Sequence, residues 1–488
     1  MNNLAKLKEF LRKNYAGLIF IGLIFFVVIF SSVTLTTKPK LWTDETITIE
    51  LAHSFLKFGV LDIQTAPGQF SGQPYLLQST GYPLTTVLGL AFKFFGYNLI
   101  TERIVMLLLM IICLTAIFLF VKKLFGKEKA VLSLLLIISF ASFYGSGRTA
   151  VGEIPGFIFL ITGLYFWLFK DAYYLSGLFL GLSIVTKPSV FLLIIPAVVA
   201  VFLIERKDFF KKILKAGIGI IPSIMGWLFL VLNNPFAKNV WLSIFNFYRN
   251  PYGSKSLTTN VFGNLAGFFH STTLVYFGVL FFIVVLGRFV VDDKRLKSFF
   301  DFVIFYSIVA FVYYLRSPGW LRYILIAELL ILLVLPPVLS AIFSKFNGFI
   351  SIIKISNSKL VIIVVVFLTV IQFTNLFMAS QIYASDLAIK TAAFINEKFP
   401  QKSIGVINAL DVSVLLESDK RYQSIDLPPP VGSMGNNIIL SAVHPDVVVF
   451  YSDIKFSQDE NVILNNYYQK FADVNKYEIY TIKNQTNN

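Results

Sequence analysis

Two adjacent carboxylates, Asp44 and Glu45, follow Trp42 near the start of a polar stretch that runs from Thr37 to about Gly81. A carboxylate in such a place can take a proton from an acceptor hydroxyl, or it can help hold a divalent cation such as Mg or Mn. Isolated cations recur further along the chain, each beside apolar runs. Arg148 lies in Gly145–Glu153, with Glu153 five residues on; Lys187 stands in Thr186-Lys187-Pro188; Arg322 and Tyr323 close the segment that begins at Arg316. Fixed arginines and lysines at a membrane interface can clamp a lipid-borne phosphate. Ionisable side chains at membrane depth are expensive and therefore mark function. The combination suits group transfer from a phosphorylated lipid. Each piece also has a structural reading. Asp44-Glu45 is equally the acidic first turn of a helix behind an interfacial tryptophan, and Lys187 equally a side chain snorkelling from a span end. Arg148 and Glu153 could pair with each other, and Arg322-Tyr323 could anchor a helix end. His53, His270 and His444 have no ligand spacing and read as structural, as does a terminal Asn484-Gln485-Thr486 sequon.

The elements that must position these groups are set by composition. Of 488 residues, 56% are hydrophobic and 14% charged, with 52 phenylalanines, and mean hydropathy is +0.73. Soluble domains average about 45–50% apolar and about 25% charged, so lipid must do part of the solvating. A bilayer core of about 30 Å takes roughly 20 apolar residues of helix. Runs of this kind are predicted at Ala16–Thr36, Ile100–Val121, Ala130–Tyr144, Ile154–Leu168, Tyr174–Val185, Val190–Ile204, Ala216–Leu232, Thr272–Phe289, Phe299–Leu315, Tyr323–Phe343 and Leu360–Ser380. Pro83–Phe95 is a short or interfacial twelfth. The two runs flanking Lys187 are short enough to break inside protein.

Lysine and arginine set the orientation. One alternating set of connections carries 21 of them and the opposite set 12, over longer segments. The amino terminus is therefore expected inside, the Thr37–Gly81 loop outside, and the tail outside, in a multi-pass cell-membrane protein. The first span has no clear cleavage site and reads as an uncleaved anchor. Residues 381–488 are a different material, with 12 acidic and 9 basic residues. Ser403–Asn408 and Asp446–Tyr451 read as buried strands, Ser385–Lys398 and Asn461–Val474 as helices, with a turn-rich Leu427–Gly435 between. The expected fold is an all-α polytopic membrane protein of about 11–12 spans over 1–380, with a small C-terminal α/β domain over 381–488. The net charge of +15 is thus spread over topology markers and is not a nucleic-acid face. The single cysteine, Cys113, is a small membrane hydrophobe.

In order and spacing the chain resembles the GT-C membrane glycosyltransferases, nearest the protein O-mannosyltransferase and aminoarabinose transferase group of glycosyltransferase family 39. The resemblance covers about residues 15–345. It rests on Trp42-x-Asp44-Glu45 with Ala52-x-x-x-Leu56-x-x-Gly59, on Gly81-Tyr82-Pro83-Leu84 with Phe94-Phe95-Gly96 and Glu102-Arg103, on Gly181-Leu182-x-x-x-Thr186-Lys187-Pro188, and on Arg322-Tyr323. It implies transfer of a sugar from a polyprenyl-phosphate donor to a glycan, lipid or protein acceptor, usually with inversion. By the same resemblance Asp44 is the general base, with Glu45 supporting it or helping to hold a metal. Arg322 and Lys187 are implied at the donor phosphate, with Tyr323 lining the site, and Arg148, Glu153 and Tyr82 stand behind them. Tyr82-Pro83 departs from the His-Pro-Pro of the protein mannosyltransferases. No Gly-rich phosphate loop follows a predicted strand, which argues against a nucleotide-sugar donor. The alternative is a transporter or flippase of lipid-linked sugars, which should show internal repeats and paired broken helices; the sequence has neither.

Overall fold

A computed structural model describes residues 2–73, 81–206, 208–249, 257–346, 356–418, 420–427 and 432–483, with backbone alone at 2–12, 247–249, 427 and 432–433. The sequon and the triple proline 428–430 lie outside the described residues. Among those described, nine helices are long and apolar enough to cross a membrane, and ten if one bent pair counts as a span. That pair is α5 (Lys127–Ser139) and α6 (Ala141–Gly147), which meet at 73° where Phe140 is extended. The expected span Tyr174–Val185 is α8 (Tyr173–Thr186), and the possible twelfth is α3 (Tyr82–Phe95). Each has 14 residues and so reaches only about 21 Å. Short helices of this kind persist at membrane depth because other helices enclose them. α8 lies between α7 (Glu153–Lys170) and α11 (Phe209–Leu232). A Cβ on Gly177 of α8 would sit 2.0 Å from the Ala216 carbonyl oxygen, so that interface admits no side chain there.

At the centre of the bundle runs α16 (Leu325–Lys345), apolar on all sides apart from the buried Glu328 and buried along most of its length, as expected of a helix with no polar face. The remaining long helices include α1 (Asn2–Ser32), α4 (Leu99–Phe125), the stretch Pro188–Glu205, and α15 (Lys294–Arg316).

Between the bundle and the C-terminal sheet lies α2 (Thr43–Phe58), an amphipathic helix ended by Gly59 in the left-handed region, the usual helix stop. It is packed on both flanks. Ile47 and Leu51 meet Val231 of the bundle together with Leu410, Ile425 and Met434 of the C-terminal domain. Ile49 and Ala52 meet Leu84 and Leu88 of α3. The loop after it is tied down by Asp62, which accepts from the backbone of Ile63 at 2.7 Å and of Gly72 at 2.8 Å, and from Asn234 beyond α11 at 3.0 Å.

The sheet has six strands in the order β5-β4-β3-β6-β8-β7: β3 Ile404–Ile407, β4 Arg421–Leu427, β5 Gly432–Met434, β6 Val447–Tyr451, β7 Tyr468–Val474 and β8 Tyr477–Ile482. A separate hairpin of β1 (Gln64–Ala66) and β2 (Gln69–Phe70) stands in the first loop. In the large sheet β3 pairs in parallel with both β4 and β6, and the other pairings are antiparallel. Helix Leu387–Lys398 covers one face through Ala392 and Ile395, and helix Gln458–Tyr467 covers the other through Leu464. The predicted helix Asn461–Val474 is therefore wrong in its second half, which is β7. Val474 pairs with Tyr477 across a two-residue turn in which Asn475 has φ +60°. Asparagine tolerates that conformation, and hairpin closure overrides local helical preference.

Candidate active site

Asp44 lies in the first turn of α2, and Arg322 lies in a 3₁₀ turn, Leu321–Tyr323, that leads into α16. The two are 278 positions apart and form an ion pair. The guanidinium is also enclosed by aromatic faces: Trp320 at 4.6 Å, Trp42 at 5.5 Å and Tyr323 at 5.6 Å from ring centre to Cζ. Rings at these distances favour a cation and hold its plane. Tyr323 is itself buried between Trp320 and Tyr313.

Lys187 and Glu153 belong to the same cluster. Lys187 is in the break between α8 and Pro188, and Glu153 is the first residue of α7. Both are buried, and each is within electrostatic reach of the other and of Asp44 and Arg322. Neither Glu153 oxygen has a hydrogen-bond partner. The break that carries Lys187 is bridged by Gly81, whose N–H donates to the Thr186 carbonyl at 2.9 Å. A Cβ on Gly81 would lie 1.7 Å from the Val185 carbonyl oxygen, so only glycine permits this contact. Tyr82, the next residue, turns toward α11: its ring lies against Gly226, and its hydroxyl is 3.5 Å from the Ser223 carbonyl.

Glu45 and Arg148 face elsewhere. Glu45 is completely buried and paired with Arg103 of α4 at 2.8 Å, while Arg103 also meets Glu102 at 3.2 Å. Burial pushes the Glu45 carboxyl up to about 7, against the opposing pull of Arg103. Arg148 donates to the carbonyls of Ser31 at 2.9 Å and Thr34 at 2.6 Å, closing the C-terminal end of α1. It does not pair with Glu153 in a salt bridge.

Adjacent carboxylates suggest a divalent-cation site, but Asp44 and Glu45 point to different partners. Among the described residues no three histidine, cysteine, aspartate or glutamate side chains are grouped to hold a metal ion.

Three features escaped the sequence reading: Trp320 in the ring enclosure, Arg103 as the partner of Glu45, and the pairing of Glu50 on α2 with Arg421 on β4. Glu102-Arg103 was visible as a motif, although its partner was not. Arg421 carries no local signal.

Residues 84–231 match the family model described as dolichyl-phosphate-mannose-protein mannosyltransferase. No curated protein matches the sequence significantly. Among solved structures, the chain is similar to ArnT from Cupriavidus metallidurans bound to undecaprenyl phosphate, with 11% identity and a TM-score of 0.67 over 97% of this chain and 99% of that one. The apo form of ArnT gives 12% identity and a TM-score of 0.63, over 94% and 98%. The Archaeoglobus fulgidus oligosaccharyltransferase tethered to an acceptor peptide gives 11% and 0.54, over 95% of this chain and 73% of that one. The fold is that of the GT-C membrane enzymes, and the match to the mannosyltransferase family model covers residues 84–231 of the 488.

Proposed function

We propose that the chain transfers a sugar from a polyprenyl-phosphate donor to a hydroxyl-bearing acceptor at the outer face of the cell membrane, with inversion and with Asp44 as the base. The observation that carries this reading is the Asp44–Arg322 pair inside its ring enclosure, with Lys187 and Glu153 in electrostatic reach. Four helical segments begin at this cluster: α2 at Asp44, α7 at Glu153, the Pro188–Glu205 span after Lys187, and α16 after Arg322. Helix N-termini present unpaired N–H groups and positive dipole ends, which favour an anion. Two cations added to such a place suit a phosphate that becomes more negative as its sugar leaves.

The chemistry then needs little else. The acceptor oxygen attacks the anomeric carbon as the bond from that carbon to the phosphate oxygen breaks, its electron pair going to the phosphate. The proton of the acceptor hydroxyl passes to the Asp44 carboxylate. Arg322 and Lys187 stabilise the departing phosphate, and positioning supplies much of the remaining rate. With the amino terminus in the cytoplasm, as the basic connections favour, α2 and the C-terminal domain stand outside.

The test is transfer from a polyprenyl-phosphate sugar by purified protein, with glycans compared by mass spectrometry in cells with and without the gene. Asp44→Asn should abolish turnover while donor still binds, and Arg322→Ala should weaken donor binding. Full turnover by Asp44→Asn sinks the assignment.

A further inference from the structure

The C-terminal sheet contains a place where its chain parts. From β3 the chain passes through a short helix, Leu410–Ser413, to β4 on one side, and later returns as β6 on the other side of β3. Both pairings are parallel. In open α/β sheets the crevice beyond the carboxyl ends of strands that diverge in this way is the usual ligand site, because the following loops separate there. A cavity of about 170 Å³ opens at this position. It has room for a few water molecules or one sugar-sized ring, and is smaller than a drug-sized pocket.

Its sheet wall holds Asn408, directly after β3, Asp411, Tyr451 at the end of β6, and Lys476-Tyr477 at the β7–β8 turn. Asn408 has φ +53°, a conformation that costs free energy outside glycine and gathers at functional sites. The Asp411 carboxylate is fixed by three donors: the hydroxyls of Tyr451 at 2.6 Å and Tyr477 at 2.7 Å, and the Val412 N–H at 3.1 Å. The two phenol rings stack at 4.7 Å. The Tyr477 hydroxyl also lies 3.4 Å from the Tyr451 oxygen; with the hydroxyl protons drawn to Asp411, the remaining lone pairs of the phenol oxygens can accept from a ligand's hydroxyls. The opposite wall is the segment Lys40–Thr43 that leads into α2. Lys40 and Lys476 outnumber Asp411, so the lining is net positive. Trp42 belongs to this wall and also carries the Arg322 guanidinium. One side chain therefore borders both the crevice and the Asp44–Arg322 pair.

We propose that this crevice binds an acidic sugar of the acceptor, its hydroxyls on the Tyr451–Tyr477 pair and its anionic group between Lys40 and Lys476. The proposal rests on the transfer reading of the Asp44–Arg322 site, which the crevice adjoins. Trp42 gives the two a common boundary, so an acceptor held here has a short path to the base.

Saturation-transfer difference NMR on the full-length protein in lipid nanodiscs tests it, with glucuronate and glucose as probes and undecaprenyl phosphate binding measured in parallel. Lys476 is exposed at a hairpin tip, so Lys476→Glu should fold. Glucuronate should saturate on the native protein, more strongly than glucose. Its signal should fall at least fivefold in Lys476→Glu, with undecaprenyl phosphate binding unchanged. Tyr451→Phe, which keeps the ring and removes one hydroxyl, should weaken both sugars. Absence of glucuronate saturation, or saturation undiminished in Lys476→Glu, overturns the subsite. If undecaprenyl phosphate still binds through Arg322 in that case, the transfer reading stands without it. If glucuronate binds as expected and undecaprenyl phosphate does not bind at all, the crevice stands and the transfer reading fails.

Discussion

Arg421→Met tests whether the C-terminal domain positions the proposed base, Asp44. Arg421 reaches from β4 into the interface and meets Glu50 of α2 at 2.8 Å. The side chains are 6% and 0% exposed, which puts the pair out of reach of solvent screening. Arg421 also donates to the Ser413 carbonyl at 2.7 Å, and Tyr97 places its hydroxyl 3.3 Å from the same Glu50 oxygen. Removing the cation leaves a buried carboxylate without its charge partner, which costs about 3–5 kcal/mol. If that cost falls on docking of the domain against α2, the docked state loses roughly two to three and a half powers of ten in population. α2 carries Asp44 in its first turn, whereas Arg322 and Lys187 are held by the bundle. Turnover should therefore fall much more than undecaprenyl phosphate affinity. Hydrogen exchange should show α2 and β4 losing protection together while α16 keeps its own. Glu50→Gln combined with Arg421→Met should recover much of the loss, since it removes the stranded charge. If the double variant is as damaged as the sum of the singles, or if α2 keeps full protection in Arg421→Met, the positioning argument is refuted.

Other outcomes follow from single contacts. Gly81→Ala forces a methyl group onto the Val185 carbonyl and should cost about 1–3 kcal/mol of stability or more. Gly17→Ala, with open space around it, should be neutral in the same thermal-shift assay. Arg322→Lys keeps the charge and loses the planar group that lies among three rings; donor affinity should fall about tenfold or more in a binding isotherm. Asp446 links β6 to Ser403 before β3, accepting from its N–H at 2.9 Å and its hydroxyl at 2.8 Å. Burial opposes ionisation there, but the Ser403 donors and Lys402 outweigh it and hold the carboxyl below its usual range. A depressed carboxylate stabilises the fold above its unfolded value and loses that contribution as pH falls through the folded one. Near-UV dichroism of the tyrosines should accordingly show acid lability below about pH 4 that is smaller in Asp446→Asn.

The bundle and its scarce charges were legible because lipid makes both conspicuous. A run of twenty apolar residues has few other uses, and Asp44, Lys187 and Arg322 stand out where any charge is costly. Their convergence needed only their order along alternating connections. Glu50 and Arg421 were not legible as a pair, being 371 positions apart with ordinary charged neighbours. Glu45 was misleading for a related reason. Adjacent helical residues point in different directions, and sequence alone did not say which of the two carboxylates would turn to the cluster and which to Arg103. The failed helix at Asn461–Val474 shows the same limit, since β8 decides its second half through pairing that local pattern does not record.

An ion pair between the proposed base and the proposed phosphate-binding cation looks at first like a poor starting state, because it occupies both groups. It is consistent with the place. A lone carboxylate or guanidinium at the rim of a lipid-embedded bundle would be poorly solvated, and pairing Asp44 with Arg322 gives each a polar partner. A phosphate donor competes directly for the guanidinium, already oriented by Trp320, Trp42 and Tyr323. On the proposed reading Arg322 turns to the phosphate and the carboxylate is released next to the acceptor hydroxyl, so that donor binding prepares the base. Lys187 and Glu153 share the surrounding charge, and Glu153, with no hydrogen-bond partner at either oxygen, can answer the change without breaking a bond. The backbone irregularities fit the same logic. The break before Pro188, the 3₁₀ turn before α16 and the starts of α2 and α7 are costly in lipid and tolerable only inside protein; gathered here, their unpaired N–H groups favour the anion that the reaction releases.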